Sequence, residues 1–145
     1  MKLVNKIPIW FMRQAGRYLP EYMKIRSKNS DFLKLCLDPV LASEISLQPI
    51  KRFNLDFIIL FSDILVIPHA LGQEVKFLKN HGPLLNSISS IKDLNYTSLN
   101  KSLDKISNIF ETIKILNAKK SKRNLIGFCG GPFTVLNYMI EGGTS

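Results

Sequence analysis

The chain has 145 residues, 46% of them hydrophobic, and a formal net charge of +9 at neutral pH. That is room for one modest domain with a real core. Its lysines are scattered rather than blocked, which reads as a solvated surface compatible with an anionic small-molecule substrate and not as a nucleic-acid footprint. No apolar run approaches the ~20 residues of a membrane span, and Lys2 and Lys6 precede no apolar segment of the kind a secretory leader carries. Cys36 and Cys129 share no C-x-x-C spacing, so reduced thiols in a cytoplasmic protein are expected, with neither a zinc site nor a redox pair.

Near the N-terminus, "WFMRQAGRYLPEYMK" at 10–24 places Arg13 and Arg17 four apart on a stretch that Gly16 and Pro20 break as a helix. Trp10 and Tyr18 can wall a pocket there. Asp38-Pro39 is a strong helix start, an N-cap acid followed by proline at the first helical position, and predicts a helix to about Phe53. "DFIILF" at 56–61 is a continuous apolar run of strand length, as expected of a parallel strand buried on both faces. "QEVKFL" at 73–78 reads as a second, more exposed strand that ends before a His81-Gly82-Pro83 turn.

Leu99, Leu103, Ile106, Phe110, Ile113 and Leu116 recur at spacings of three and four, predicting one helix over 98–118. "KKSK" at 119–122 is a basic turn and "NLIGF" at 124–128 a further buried strand. "CGGP" then forms a loop, and Pro132 opens a helix that ends at Gly142-Gly143. Strand, long helix, strand, helix is the α/β pattern with parallel strands.

In such folds the carboxyl ends of the strands form the functional rim. Asp63 stands just beyond the first buried strand, and two readings of it are open: a site acid, or an N-cap for the following turn. Arg13 and Arg17 are either surface arginines or a clamp for a polycarboxylate, since the guanidinium fork suits carboxylates. The "GFCGGPF" loop lacks the glycine order and the lysine of a phosphate loop, so its glycines serve close backbone approach or tight packing. Tyr138, in the last helix, reads first as a buried structural tyrosine. His69 and His81 are expected at polar surface positions without metal-ligand spacing, and Cys129 as a small core residue with no histidine to activate it.

Two stretches carry a resemblance. "PIWFMRQAGRYLPEY" at 8–22 and "IGFCGGPFTVLNYMIEGG" at 126–143 are similar to the two signatures of the uroporphyrinogen decarboxylase family, and "FSDILVIPHALG" at 61–72 resembles the segment between them. Order and spacing agree over nearly the whole chain. The resemblance implies a cytoplasmic carboxy-lyase of haem biosynthesis that removes CO2 from the four acetates of uroporphyrinogen to give coproporphyrinogen. It further implies a (βα)8 barrel, action without metal or organic cofactor, and a homodimer. Carried over residue by residue, Arg13 and Arg17 match the substrate-binding arginines, with Gln14, Ala15 and Gly16 on the same loop. Asp63 matches the acid that binds the pyrrole N–H groups, Tyr138 the site tyrosine, and Arg26 a further arginine contact. By the same resemblance Asp63, Arg13 and Tyr138 form the catalytic set.

Chains of that family are more than twice as long, and a barrel of this kind takes about 250 residues. The expectation is therefore the N-terminal part of one barrel domain: loop and helices over about 1–55, then the first βα units over about 56–145. The family's C-terminal site histidine and serine fall outside the chain, so 1–145 is expected to be silent alone, with a complementary C-terminal chain as one partner. Two alternatives stand beside this: a porphyrinogen-binding or dimer-interfering remnant without turnover, and, last, a corrinoid-linked methyltransferase, which would show a zinc-ligand cluster and lack the arginine loop.

Overall fold

The computed structural model describes residues 7–12, 14–78 and 81–143. Three helices come first: α1 (Pro20–Lys28), α2 (Phe32–Cys36) and α3 (Pro39–Arg52). Pro20 begins α1 at its first position, where a missing N–H costs nothing; the proline that breaks the arginine loop is thus also the start of the next element. Asp38 caps α3, its Oδ1 accepting from the Val40 and Leu41 N–H groups at 2.9 Å each. Replacing it with alanine should cost about 1 kcal/mol, measurable as a lowered thermal midpoint. Glu21 of α1 accepts from Arg52 Nε and Nη2 of α3, at 2.9 and 2.8 Å, in a bidentate pair that joins the two helices.

β1 (Phe57–Ile59) pairs in parallel with β4 (Asn124–Ile126), Ile58 opposite Leu125. Between them run α4 (Val66–Ala70), β2 (Val75–Leu78), β3 (Gly82–Leu85), a 3-10 turn at Ile91–Asp93, α5 (Leu99–Lys105) and α6 (Ser107–Lys119); α7 (Pro132–Glu141) follows β4. The fold is α/β with a parallel strand pair. Ile58 is fully buried with Leu47 of α3 and Leu116 of α6. Phe57 and Ile59 are only half-buried, because alternate strand residues face opposite sides and that second side is incompletely covered by the described residues. The expected burial on both faces therefore holds for one.

β2 and β3 form an antiparallel hairpin in which Pro83 lies opposite Phe77. The expected turn at Gly82-Pro83 is instead the start of β3. The strand tolerates proline because the missing N–H falls on the side away from β2, the side where the Leu85 N–H donates to Gly142 O at 2.8 Å. The helix expected over 98–118 is two. Ile106 closes α5 and opens α6 with φ −113° and ψ 13°, and the Ser107 hydroxyl donates to Asp104 O at 2.7 Å, competing with the helical ladder. The break sends Ile106 into the core beside α4 and α7 and Leu116 into the core under β1. It also leaves Leu99, Leu103 and Phe110 of the predicted stripe exposed. α7 ends as read, on Gly142 with φ +77°, where a Cβ would lie 2.9 Å from Leu85 O.

Candidate active site at the carboxyl end of the first strand

Leu60 leaves β1 still bonded to its neighbour, its N–H donating to Ile126 O at 2.9 Å, and the Phe61 N–H donates to Ser46 Oγ of α3 at 2.8 Å. The chain then turns through Ser62 and Asp63. Asp63 Oδ1 accepts the Leu65 N–H at 2.8 Å, so the capping reading of this acid holds. The site reading stays compatible with it, because a carboxylate has two oxygens and the cap uses one of them. Burial pushes the Asp63 carboxyl above the usual carboxylate range, only partly offset by the Leu65 bond, so its ionised form gains from any donor or cation brought to it.

The buried Cys36 thiol, pushed up chiefly by burial, is raised further by the Asp63 charge and lowered by that of Arg26; one small thiol thus feels both groups. The Tyr22 hydroxyl, also raised by burial, is lowered by Arg26, through its charge and a hydrogen bond, and by Arg17. Arg17 is exposed. Arg26 thus acts on both Tyr22 and Cys36, Arg17 on Tyr22 and Asp63 on Cys36, while the Asp63 carboxyl itself is shifted by burial and the Leu65 bond, with neither Arg17 nor Arg26 among the causes. Arg26 Nη1 donates to Asn29 O, and its guanidinium carbon sits 5.7 Å from the centre of the Phe32 ring.

The arginine loop is anchored from beneath. Gln14 is buried, and its Nε2 donates to Phe57 O at 3.1 Å, while its Oε1 is buried with no hydrogen-bond partner among the described residues. The Tyr18 hydroxyl donates to Gln14 O, and Ala15 packs on the cluster of Leu19, Tyr22, Leu35 and Ile45. Arg13 lies outside the described residues. Gly16 is not held by steric need: its φ is not left-handed, and a Cβ would meet only the Tyr18 ring at an ordinary 3.6 Å.

On the other strand end, Gly130 abuts Ile64: a Cβ there would fall 3.0 Å from Ile64 Cβ and 2.4 Å from Val135 Cγ2. The two loops that leave β1 and β4 are in contact because this residue has no side chain. Tyr138 is half-buried and packs on the core cluster that holds Leu65, Val135 and Met139. Cys129, expected in the core, is exposed, since the chain has by then left the sheet for the surface loop. His81 is exposed, but His69 is half-buried and its imidazole is pushed below the usual range by burial and by Lys105. Tyr22, Phe32 and Phe61 escaped the sequence reading; the available signal was Tyr22 one helical turn before Arg26, and Phe61 directly ahead of Ser62-Asp63.

A parallel α/β unit with a half-buried acid just beyond its first strand has that acid where folds of this class carry their sites. The sequence profile described as uroporphyrinogen decarboxylase (URO-D) matches residues 1–145, and the chain belongs to that family. It is 53% identical over 139 residues to the uroporphyrinogen decarboxylase of Rickettsia felis, a match that covers 95% of this chain and 40% of that protein. To the Rickettsia bellii protein of the same name it is 51% identical over 142 residues, covering 97% and 42%. The chain thus spans about two fifths of these relatives' length. A methyltransferase from Methanosarcina mazei superposes with a TM-score of 0.71 at 20% identity, over 94% of this chain and 41% of that one; the likeness is one of fold. Among the described residues no helix is long and apolar enough to cross a membrane.

Proposed function

We propose that the chain supplies the amino-terminal part of a uroporphyrinogen decarboxylase, the first βα units of a (βα)8 barrel, in a cytoplasmic enzyme that works as a homodimer when the rest of the barrel is present. The observation that supports this reading is an acid just beyond the carboxyl end of β1, Asp63, with one oxygen on the Leu65 N–H and its carboxyl raised by burial, in a member of this family.

Uroporphyrinogen is a macrocycle with a ring of N–H donors inside and carboxylates outside. Asp63 would take the inner N–H groups, and Arg13, Arg17 and Arg26 the carboxylates. Loss of CO2 from a pyrrole acetate needs somewhere for the electron pair of the breaking C–C bond. A proton added to the neighbouring ring carbon makes the ring cationic and able to receive that pair. The methylene carbon then takes a proton to become methyl, and the ring carbon returns its own. Asp63 would stabilise the positive charge as it develops, which accelerates the step where uniform substrate binding would not. Tyr138 would line the same cavity.

The remaining barrel units would add a strand to the free side of β4 and cover Phe133, Leu136 and Ile140, which lie exposed along α7. The test is to mix this chain with a second chain holding the part of the Rickettsia felis protein beyond the matched region, and to follow CO2 release from uroporphyrinogen. Turnover by the mixture and none by either chain alone is the expected result. Binding without CO2 release in the mixture would favour the non-catalytic reading, and full turnover by 1–145 alone would overturn the need for a complement.

A further inference from the structure

We propose that Phe32 is a positioning residue of this site: its ring face fixes the Arg26 guanidinium in the orientation from which that arginine meets a substrate carboxylate. The inference deepens the function proposed above and rests on it for the identity of the ligand. Phe32 is the first residue of α2, set by the Asp31 cap, whose side chain accepts the Lys34 N–H at 3.1 Å. Its ring meets Phe61 edge-on, with centroids 5.7 Å apart and planes at 79°, and Phe77 of β2 at 4.8 Å and 63°. Edge-to-face pairs of this kind hold a ring against rotation.

With α2 and two aromatic neighbours holding it, the ring presents a fixed surface to Arg26 at 5.7 Å, within cation–π range. The Asn29 carbonyl takes one guanidinium N–H, which leaves most of the five donors of the fork for a ligand. Phe61 stands two residues before Asp63, so one aromatic row spans from the arginine that would hold a carboxylate to the strand end that carries the acid. A flexible arginine loses rotamer freedom on binding; one already seated on a ring loses less.

The experiment is a double-mutant cycle on the affinity for uroporphyrin, the air-stable octacarboxylate, read by fluorescence titration of the chain mixed with the complementary part described above. Phe32→Leu should weaken binding by roughly three- to fivefold, Phe32→Tyr should not, and Phe32→Leu should add nothing once Arg26→Leu is present. Additive losses would overturn the proposal, since a ring that only packs acts independently of Arg26. A ligand-free readout accompanies it. Arg26 side-chain protons should be shifted upfield by the Phe32 ring current in the NMR spectrum and return on Phe32→Leu; unshifted protons in the parent chain would also overturn it. If the chain mixed with its complement fails to bind uroporphyrin, the proposed function falls, and the ring-current measurement still decides the role of Phe32.

Discussion

Asp63→Asn should leave the fold intact and lower turnover of the complemented enzyme by about a hundred- to a thousandfold, the scale seen when one transition-state-stabilising group is removed. The substitution is chosen because asparagine keeps an oxygen for the Leu65 N–H and is as good a cap as aspartate. It therefore separates the two readings of this residue: if capping were all that Asp63 does, activity would survive. A loss of less than threefold would remove Asp63 from the site.

The pH dependence adds a second arm. Burial raises the Asp63 carboxyl, so the folded chain binds this proton more tightly than the unfolded chain does. The stability it contributes is complete below the unfolded value of about 3.9 and is lost as pH rises through the higher folded value. At neutral pH the asparagine variant should melt no lower than the parent, while below about pH 4 its relative advantage should vanish. Activity runs the opposite way, since the ionised carboxylate is the form that would stabilise a cationic ring. The acid limb of the rate profile should lie above the ordinary carboxylate range.

Gly130→Ala should cost the fold more than loss of the Asp38 cap does, about 1–3 kcal/mol of destabilisation from overpacking. The new Cβ would sit 2.4 Å from Val135 Cγ2 and 3.0 Å from Ile64 Cβ. Neither neighbour can swing aside easily, because both are β-branched and Val135 lies in α7, where one χ1 rotamer dominates. Denaturant unfolding measures the loss. Val135→Ala in the same chain should recover part of it by removing the nearer atom, and a pair of strictly additive losses would show that Gly130 is not held by that contact. Because Ile64 follows Asp63, the site should shift as well, with weaker uroporphyrin binding than the lost stability explains.

Much of the fold could be read from sequence because its signals are local. Asp38-Pro39 and the Pro132 to Gly142 frame mark helix ends by backbone chemistry that acts over a few residues. The elements that differed are those decided by distant partners. The apolar period over 98–118 is that of one helix, yet the two clusters competing for Ile106 and Leu116 lie on different sides, and nothing local to the period specifies that. Pro83 reads as a turn residue until the Gly142 contact shows which side of β3 its missing N–H faces. At the site, the arginine loop and Asp63 stood out as residue types. Phe32 and Tyr22 did not, since an aromatic that seats a guanidinium carries no spacing of its own.

The parallel pairing of β1 with β4 has a consequence in time. Its backbone register is reinforced by Arg123 Nε donating to Leu55 O at 2.9 Å, a contact between residues 68 apart in sequence. During synthesis α1 to α3 can form as soon as they emerge, and so can the β2–β3 hairpin, because each closes only short loops. β1 must wait, apolar and unpaired, until the stretch near residue 126 has been made, and contacts of such sequence separation are slow to form. Until α6 emerges, Ile58 has only α3 to lie against. The helix that precedes the first strand is thus an early cover for it, which fits its place in the order of the chain.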